Sequence, residues 1–120
     1  MWKMDRIEAL DNIQCLASQS FQERVWLRGD GPEEDDYNEA ILMYYSSIPK
    51  NQDEALERLN SAFDKKEIEV IMNFHKILNS FIYKHGWDLT HKELLENLDW
   101  INVRNEAKKV CDHFDVKPLE

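Results

Sequence analysis

The sequence predicts an all-α fold: one domain over residues 1–120, a bundle of five to six helices packed around a central helix at about residues 64–85. Three observations predict it. Glycine and proline occur only at Gly29, Gly31, Pro32, Pro49, Gly86 and Pro118, and the four segments between these points contain neither. Such long absences favour helix, because both residues break it. Within those segments the apolar residues recur at helical spacing. The stretch from Asp64 to Gly86 has, moreover, an unusually broad apolar face. At about 100° per residue, Val70, Ile71, Phe74, Ile77, Leu78, Phe81 and Ile82 share one side, with Ile68 and Met72 at its margin and Glu69, Asn73, Lys76, Ser80 and Lys84 opposite. A face that wide needs neighbours on more than one side, which makes this helix central.

Taken in order, the first helix covers about residues 2–17, with Ile7, Leu10, Ile13 or Gln14, and Ala17 at helical spacing and Leu16 and Trp2 extending the stripe. Ser20 with Glu23 has the form of a new cap for a short helix carrying Phe21, Val25 and Trp26. A short strand over Val25-Trp26-Leu27 is the alternative, since its composition suits one. Arg28 to Asp36 is a loop. Asp36 with Glu39 then caps a helix in which Tyr37, Ala40, Ile41, Tyr44, Tyr45 and Ile48 repeat at i, i+3, i+4, i+7, i+8 and i+11. Pro49 stops it by excluding its predecessor from helical geometry. Asn51 with Glu54 starts a shorter helix that buries Ala55, Leu56, Leu59 and Phe63. The central helix follows, begun by a capping box of Asp64 and Glu67 and ended at Gly86. Thr90 and Glu93 form another box, with Leu94, Leu95 and Leu98 behind it. A break at residues 99–102 is expected, with Asn102 capping a last helix that buries Val103, Ala107, Val110, Cys111 and Phe114. Phe114 to Glu120 is expected to fray.

Composition narrows the function classes. Apolar residues make up 42% of the chain, too many for a disordered protein. No run approaches the roughly 18 apolar residues of a membrane span. The opening Met1-Trp2-Lys3-Met4-Asp5-Arg6 leads into an amphipathic segment, unlike a secretory signal, so the expected compartment is the cytoplasm. Cys15 and Cys111 are too few and too far apart for a disulfide scaffold or a zinc site and are expected as reduced thiols. The formal charge of −9 disfavours nucleic acid or an anionic membrane as direct ligand and favours a basic macromolecule.

Catalytic and metal templates fail one by one. Three glycines cannot build a phosphate-binding loop between a strand and a helix. Read as a calcium loop, Asp30 to Ile41 would place Pro32 at the third position and Ile41 where a bidentate glutamate belongs. His75, His85, His91 and His113 do not form the paired Glu-x-x-His pattern of a di-iron bundle. His75 lies on the apolar side of the central helix and is expected to be a core histidine with a buried partner; His85 suits the negative end of the helix dipole. The tripeptide Arg28-Gly29-Asp30 is read as chance. Trp26, Trp87 and Trp100 are expected to anchor the core or loops, and an exposed one would be a contact residue for a partner. The expectation is a protein without catalytic residues, metal or cofactor.

One stretch departs from an evenly solvated surface. Asp30, Glu33, Glu34, Asp35, Asp36 and Glu39 are six acids with no base among them. Asp36 and Glu39 serve the helix start, where carboxylates are stabilised; Glu33, Glu34 and Asp35 exceed that need. With Trp26 and Arg28 before them and Tyr37 after, Asp30, Glu33, Glu34 and Asp35 are the candidate partner-binding residues, presenting carboxylates to a basic cleft in place of phosphates. A small, acidic, all-helical chain bearing Phe21-Gln22-Glu23-Arg24-Val25-Trp26-Leu27-Arg28-Gly29-Asp30-Gly31 resembles the immunity proteins encoded beside bacterial contact-dependent growth inhibition toxins. The resemblance implies a function: neutralising the C-terminal toxin domain of a large secreted protein, often a nuclease, by occluding its active site, as a monomer that forms a 1:1 complex. A ribonuclease acting on transfer RNA suits the acidic surface. Two other classes remain open, a small helical adaptor that binds a partner helix through an exposed Leu, Met or Tyr stripe, and an enzyme of unrecognised type built on His75 or a carboxylate pair.

Overall fold

A helix leaves its first N–H groups without partners, and this sequence supplies a side-chain acceptor at the start of every α-helix among the described residues. A computed structural model describes residues 5–30 and 35–119. Its helices are α1 (Arg6–Leu16), α2 (Gln19–Phe21) continuing into a π-helical segment (Gln22–Leu27), α3 (Tyr37–Ser47), α4 (Gln52–Leu59), α5 (Lys65–His85), α6 (His91–Glu96) and α7 (Leu98–His113). Five of them have eight residues or more, and these form the all-α bundle. The caps are Asp5, Ser18, Asp36, Asn51, Asp64, Thr90 and Asn97, with full capping boxes at Asp64–Glu67 and Thr90–Glu93. Asp36 Oδ1 accepts from Glu39 N at 2.8 Å. Replacing Asp36 by alanine is therefore expected to cost about 0.5–2 kcal/mol of stability in a urea titration, whatever the protein binds.

The central helix is where its apolar breadth places it. Helix α5 packs against α7, α4 leads into it, and α3 meets it through aromatic side chains; α1 in turn packs on both α7 and α3. Phe74, Leu78 and Ile71 are fully buried along its inner face. Gly86 ends it at φ +62°, a conformation open to glycine. Near its start Arg6 holds the first helix to the α4–α5 junction, donating to both Glu67 oxygens at 3.0 and 2.7 Å and to the Ala62 carbonyl at 3.1 Å, with its guanidinium 4.7 Å from the Phe63 ring centre. The Arg6 hydrogen bonds hold the Glu67 carboxyl down at about 2.

His75 is a core histidine with partners on both nitrogens. Its Nε2 lies 3.1 Å from the Lys50 carbonyl and its Nδ1 2.9 Å from the Tyr44 hydroxyl. A carbonyl can only accept, so Nε2 carries the proton and, in the neutral ring, Nδ1 accepts from Tyr44. Burial lowers the His75 pKa, and the Lys50 carbonyl opposes it more weakly. The unfolded chain then binds a proton near the ordinary value of about 6.5 while the folded chain does not, so stability falls as pH drops below that value, until the folded pKa is reached. Urea titrations between about pH 7.5 and 5.5 are expected to show this loss, and His75→Gln is expected to flatten it.

Several local expectations are corrected. The alternative strand at Val25-Trp26-Leu27 is π-helical, closed by Arg28 N donating to the Glu23 carbonyl at 3.2 Å. Its cap is Ser18 and not Ser20, because Ser18 Oγ accepts from Phe21 N. The break before the last helix falls at Asn97, not at 99–102: Asn97 Oδ1 accepts from the amides of Asp99 and Trp100, and Asn102 lies inside α7. That resets the helical phase, so Leu98 is 81% exposed, not behind the Thr90 box. In α1 the buried face is Ala9, Ile13, Leu16 and Ala17, set by contact with both α7 and α3, and Ile7 points outward. The tail does not fray up to Leu119. Gln14 Nε2 donates to the Lys117 carbonyl at 2.6 Å, Leu119 N to the Gln14 carbonyl at 3.2 Å, and Ser18 Oγ to the Leu119 carbonyl. Trp2 lies outside the described residues.

Candidate partner-binding surface

The predicted contact residues separate into buried and exposed groups. Trp26 is buried, and its ring packs at 6.0 Å from Trp100 and 6.3 Å from Tyr37. Tyr37 is buried as well, at 5.4 Å from Trp100 and 6.5 Å from Phe81, with its hydroxyl donating to the Gly86 carbonyl. Both were expected at a partner interface, and both instead knit the π-helical segment and α3 to the ends of α5 and α7. The reason is chemical: in an all-helical bundle the loop flanks are where aromatic rings can close the ends of the core.

Asp35 is half-buried and belongs to this knot. Its Oδ2 accepts from Trp26 Nε1 at 3.0 Å and lies 3.7 Å from the Cys15 sulfur, so this carboxylate satisfies the indole that burial would leave unpaired. Arg28 and Asp30 are exposed and pair with each other, Nε to Oδ2, at 3.3 Å. Asp30 also closes the helix end, its amide donating to the Arg24 carbonyl at 2.8 Å and its own carbonyl accepting from Arg24 at 3.2 Å. Glu33 and Glu34 lie outside the described residues.

The structure adds residues that the linear reading did not join. Because α1 packs on α3, the exposed carboxylates of Glu8 and Asp11 on α1 share a face with those of Asp36 and Glu39 on α3. No Lys or Arg occurs from Gly29 to Pro49, so α3 brings no counter-charge. Leu42 and Met43 lie on the same helix, 61% and 44% exposed. Between the two helices runs a groove of about 240 Å³, lined by Asp11, Asn12, Cys15, Asp35 and Met43 among others. A carboxylate rim with exposed aliphatic side chains is the chemistry that receives the stem and cation of a lysine or arginine.

Two buried polar residues escaped the sequence reading. Gln22 is fully buried: its Nε2 donates to the Cys15 and Leu16 carbonyls at 3.1 and 2.9 Å, and its Oε1 accepts from Trp100 Nε1 at 3.0 Å. Arg104, on the buried face of α7, has an Nε without a hydrogen-bond partner among the described residues. Burial lowers its pKa, and the charge of Glu23 opposes the shift. The helical spacing from Trp100 through Arg104 to Ala107 and Cys111 was the available signal.

Cys15 and Cys111 are free, and burial raises both thiols, Cys111 to about 11. Low thiolate content makes both poor nucleophiles and metal ligands. His85 Nε2 lies 2.8 Å from Asp99, and Trp87 is 44% exposed with its ring 5.7 Å from Tyr37. Among the described residues no group of three His, Cys, Asp or Glu is placed to hold a metal ion, and no helix is long and apolar enough to cross a membrane. No curated protein and no solved structure matches the chain. A family profile does, over residues 1–120, and the chain accordingly belongs to the family described as a domain of unknown function (DUF7945).

Proposed function

We propose that this protein is a non-catalytic inhibitor that binds a basic protein partner through the acidic α1–α3 face, in the manner of an immunity protein that occludes the active site of a nuclease toxin. The observation that carries the reading is the one-sided charge of that face. Six acids stand between Gly29 and Pro49 without a lysine or arginine, and the fold sets Glu8 and Asp11 beside them. A surface of this kind repels nucleic acid and attracts the cationic cleft that binds it. The contact set is Asp11, Asp30, Glu33, Glu34, Asp36 and Glu39 with Leu42 and Met43 as apolar centre, while Trp26, Asp35 and Tyr37 support it from beneath. The working compartment is the cytoplasm, where the toxin's substrate is found.

The test is protection of growth. Cells expressing the C-terminal domain of a large secreted protein encoded beside this chain are expected to survive when the chain is co-expressed, and a variant with Asp11→Lys and Glu39→Lys is expected to protect poorly while folding normally. Equal protection by the variant, or none by the parent, would count against the reading.

A further inference from the structure

We infer that the groove between α5 and α7 is a second docking site, built to receive an acidic amphipathic helix of a protein partner. The groove has a volume of about 310 Å³ and an apolar floor of Phe81, Val103 and Ile77, the first two part of the buried core. Along one wall Lys76, Ser80 and Lys84 stand at i, i+4 and i+8 on α5; Asp99 and Asn102 of α7 form the other. In a chain of net charge −9, two lysines on one groove wall are a local reversal of sign.

The charges within the groove leave that reversal uncancelled. Asp99 is the single carboxylate in the lining, and it is engaged by Lys84 at 3.0 Å and by His85 at 2.8 Å. The ammonium of Lys76 has no ion-pair partner among the described residues. Ser80 Oγ donates to the Lys76 carbonyl at 3.0 Å. The groove therefore offers cations at its wall and hydrocarbon at its base, which selects an occupant that is apolar beneath and anionic above.

Spacing selects a helix. Lys76 and Lys84 are eight residues apart, about 12 Å along the axis at about 1.5 Å per residue. A partner helix lying along the groove presents carboxylates seven or eight residues apart over the same distance, and the residues three and four positions after the first point into the floor. Tyr83, one turn from Ser80, and Leu98, adjoining Asp99, are the two most exposed large apolar side chains among the described residues, at 93% and 81%. A helix in the groove would draw these shoulders out of water. The site shares no residue with the α1–α3 face and does not depend on it.

A synthetic helical peptide of about 18 residues, with glutamates seven residues apart and leucines three and four positions after the first, is the probe. Titrated into isotope-labelled full-length protein, it is expected to bind saturably at 1:1, with amide shift changes confined to residues 76–84 and 98–103. Affinity is expected to fall at least about tenfold in Lys76→Glu and in Asn102→Trp, and likewise when salt rises from about 0.05 to about 0.5 M. Both variants alter exposed side chains, so one keeps the test readable if the other misfolds. Absence of saturable binding, unchanged affinity in both variants, or equal binding of the peptide with lysine for glutamate overturns the proposal. Tighter binding of sodium dodecanoate at the same residues overturns it in favour of a small lipid-like anion, and concentration-dependent shifts there without peptide overturn it in favour of self-association.

Discussion

Phe74→Ala is expected to cost about 3–5 kcal/mol of folding stability. Phe74 is fully buried on α5, the helix that α3, α4 and α7 all contact, and its ring meets Tyr44 edge-on at 5.7 Å. Truncation removes the transfer free energy of the ring and leaves a cavity among fully buried neighbours such as Leu78 and Ile71, which the surrounding helices cannot collapse to fill. Tyr44 also loses the ring that orients it toward His75, so the Tyr44–His75–Lys50 chain of hydrogen bonds weakens with the packing. Urea denaturation at neutral pH reads the effect directly. A cost below about 1 kcal/mol would mean that α5 is not the centre of the core.

Gln22→Met should cost about 2–4 kcal/mol, as much as a core truncation, although the side-chain volume hardly changes. The amide satisfies the Cys15 and Leu16 carbonyls at the end of α1 and the indole N–H of Trp100 at once, and methionine offers none of these bonds. Each buried polar group left without a partner costs about 1–3 kcal/mol, less than additively because the site relaxes. Gln19→Met, on an exposed residue of the same turn, is the control and is expected within about 0.5 kcal/mol of the parent. Equal stabilities for the two variants would show that the amide network is dispensable.

The residues that were legible in the sequence are those whose role depends on near neighbours. Asp64 with Glu67 and Thr90 with Glu93 act within one turn, so spacing alone identifies them, and the apolar arc from Ile71 to Ile82 declares a central helix before any partner is known. Asn97 shows where this local reading ends. Asn97 and Asn102 both suit a cap, and the choice is made by Trp100, which must enter the core in the first turn of α7. Gln22 and Arg104 look like surface residues in the chain because what satisfies or strands them is 78 residues away, in the case of Gln22, or across a helix interface.

The candidate surface divides in the same way. The run of acids from Asp30 to Glu39 is visible as composition, but which carboxylates are free is a tertiary fact. Asp35 is spent on the Trp26 indole and could not be told from Glu34 by any local rule. Trp26 and Tyr37 are aromatic residues flanking a charged loop, a pattern shared by interfaces and by core closures. Packing against Trp100 and Phe81 decides between them here. The contribution of α1 to the face was invisible for the plainest reason: Asp11 and Glu39 are 28 positions apart and meet on one surface only because α1 packs on α3.

The most direct test of the proposed function is the salt dependence of association with the toxin domain encoded beside this chain. Its rate constant is measured for the parent and for an Asp30→Asn, Glu33→Gln, Glu34→Gln variant, with Asp35 left in place to hold Trp26. If these carboxylates steer a basic cleft, the parent associates at rates approaching about 10⁸ M⁻¹s⁻¹ at low salt and slows steeply as salt shortens the Debye length. The variant is predicted to associate several-fold more slowly, with a shallower salt slope and an unchanged melting temperature. A rate and slope equal to the parent's would contradict the account.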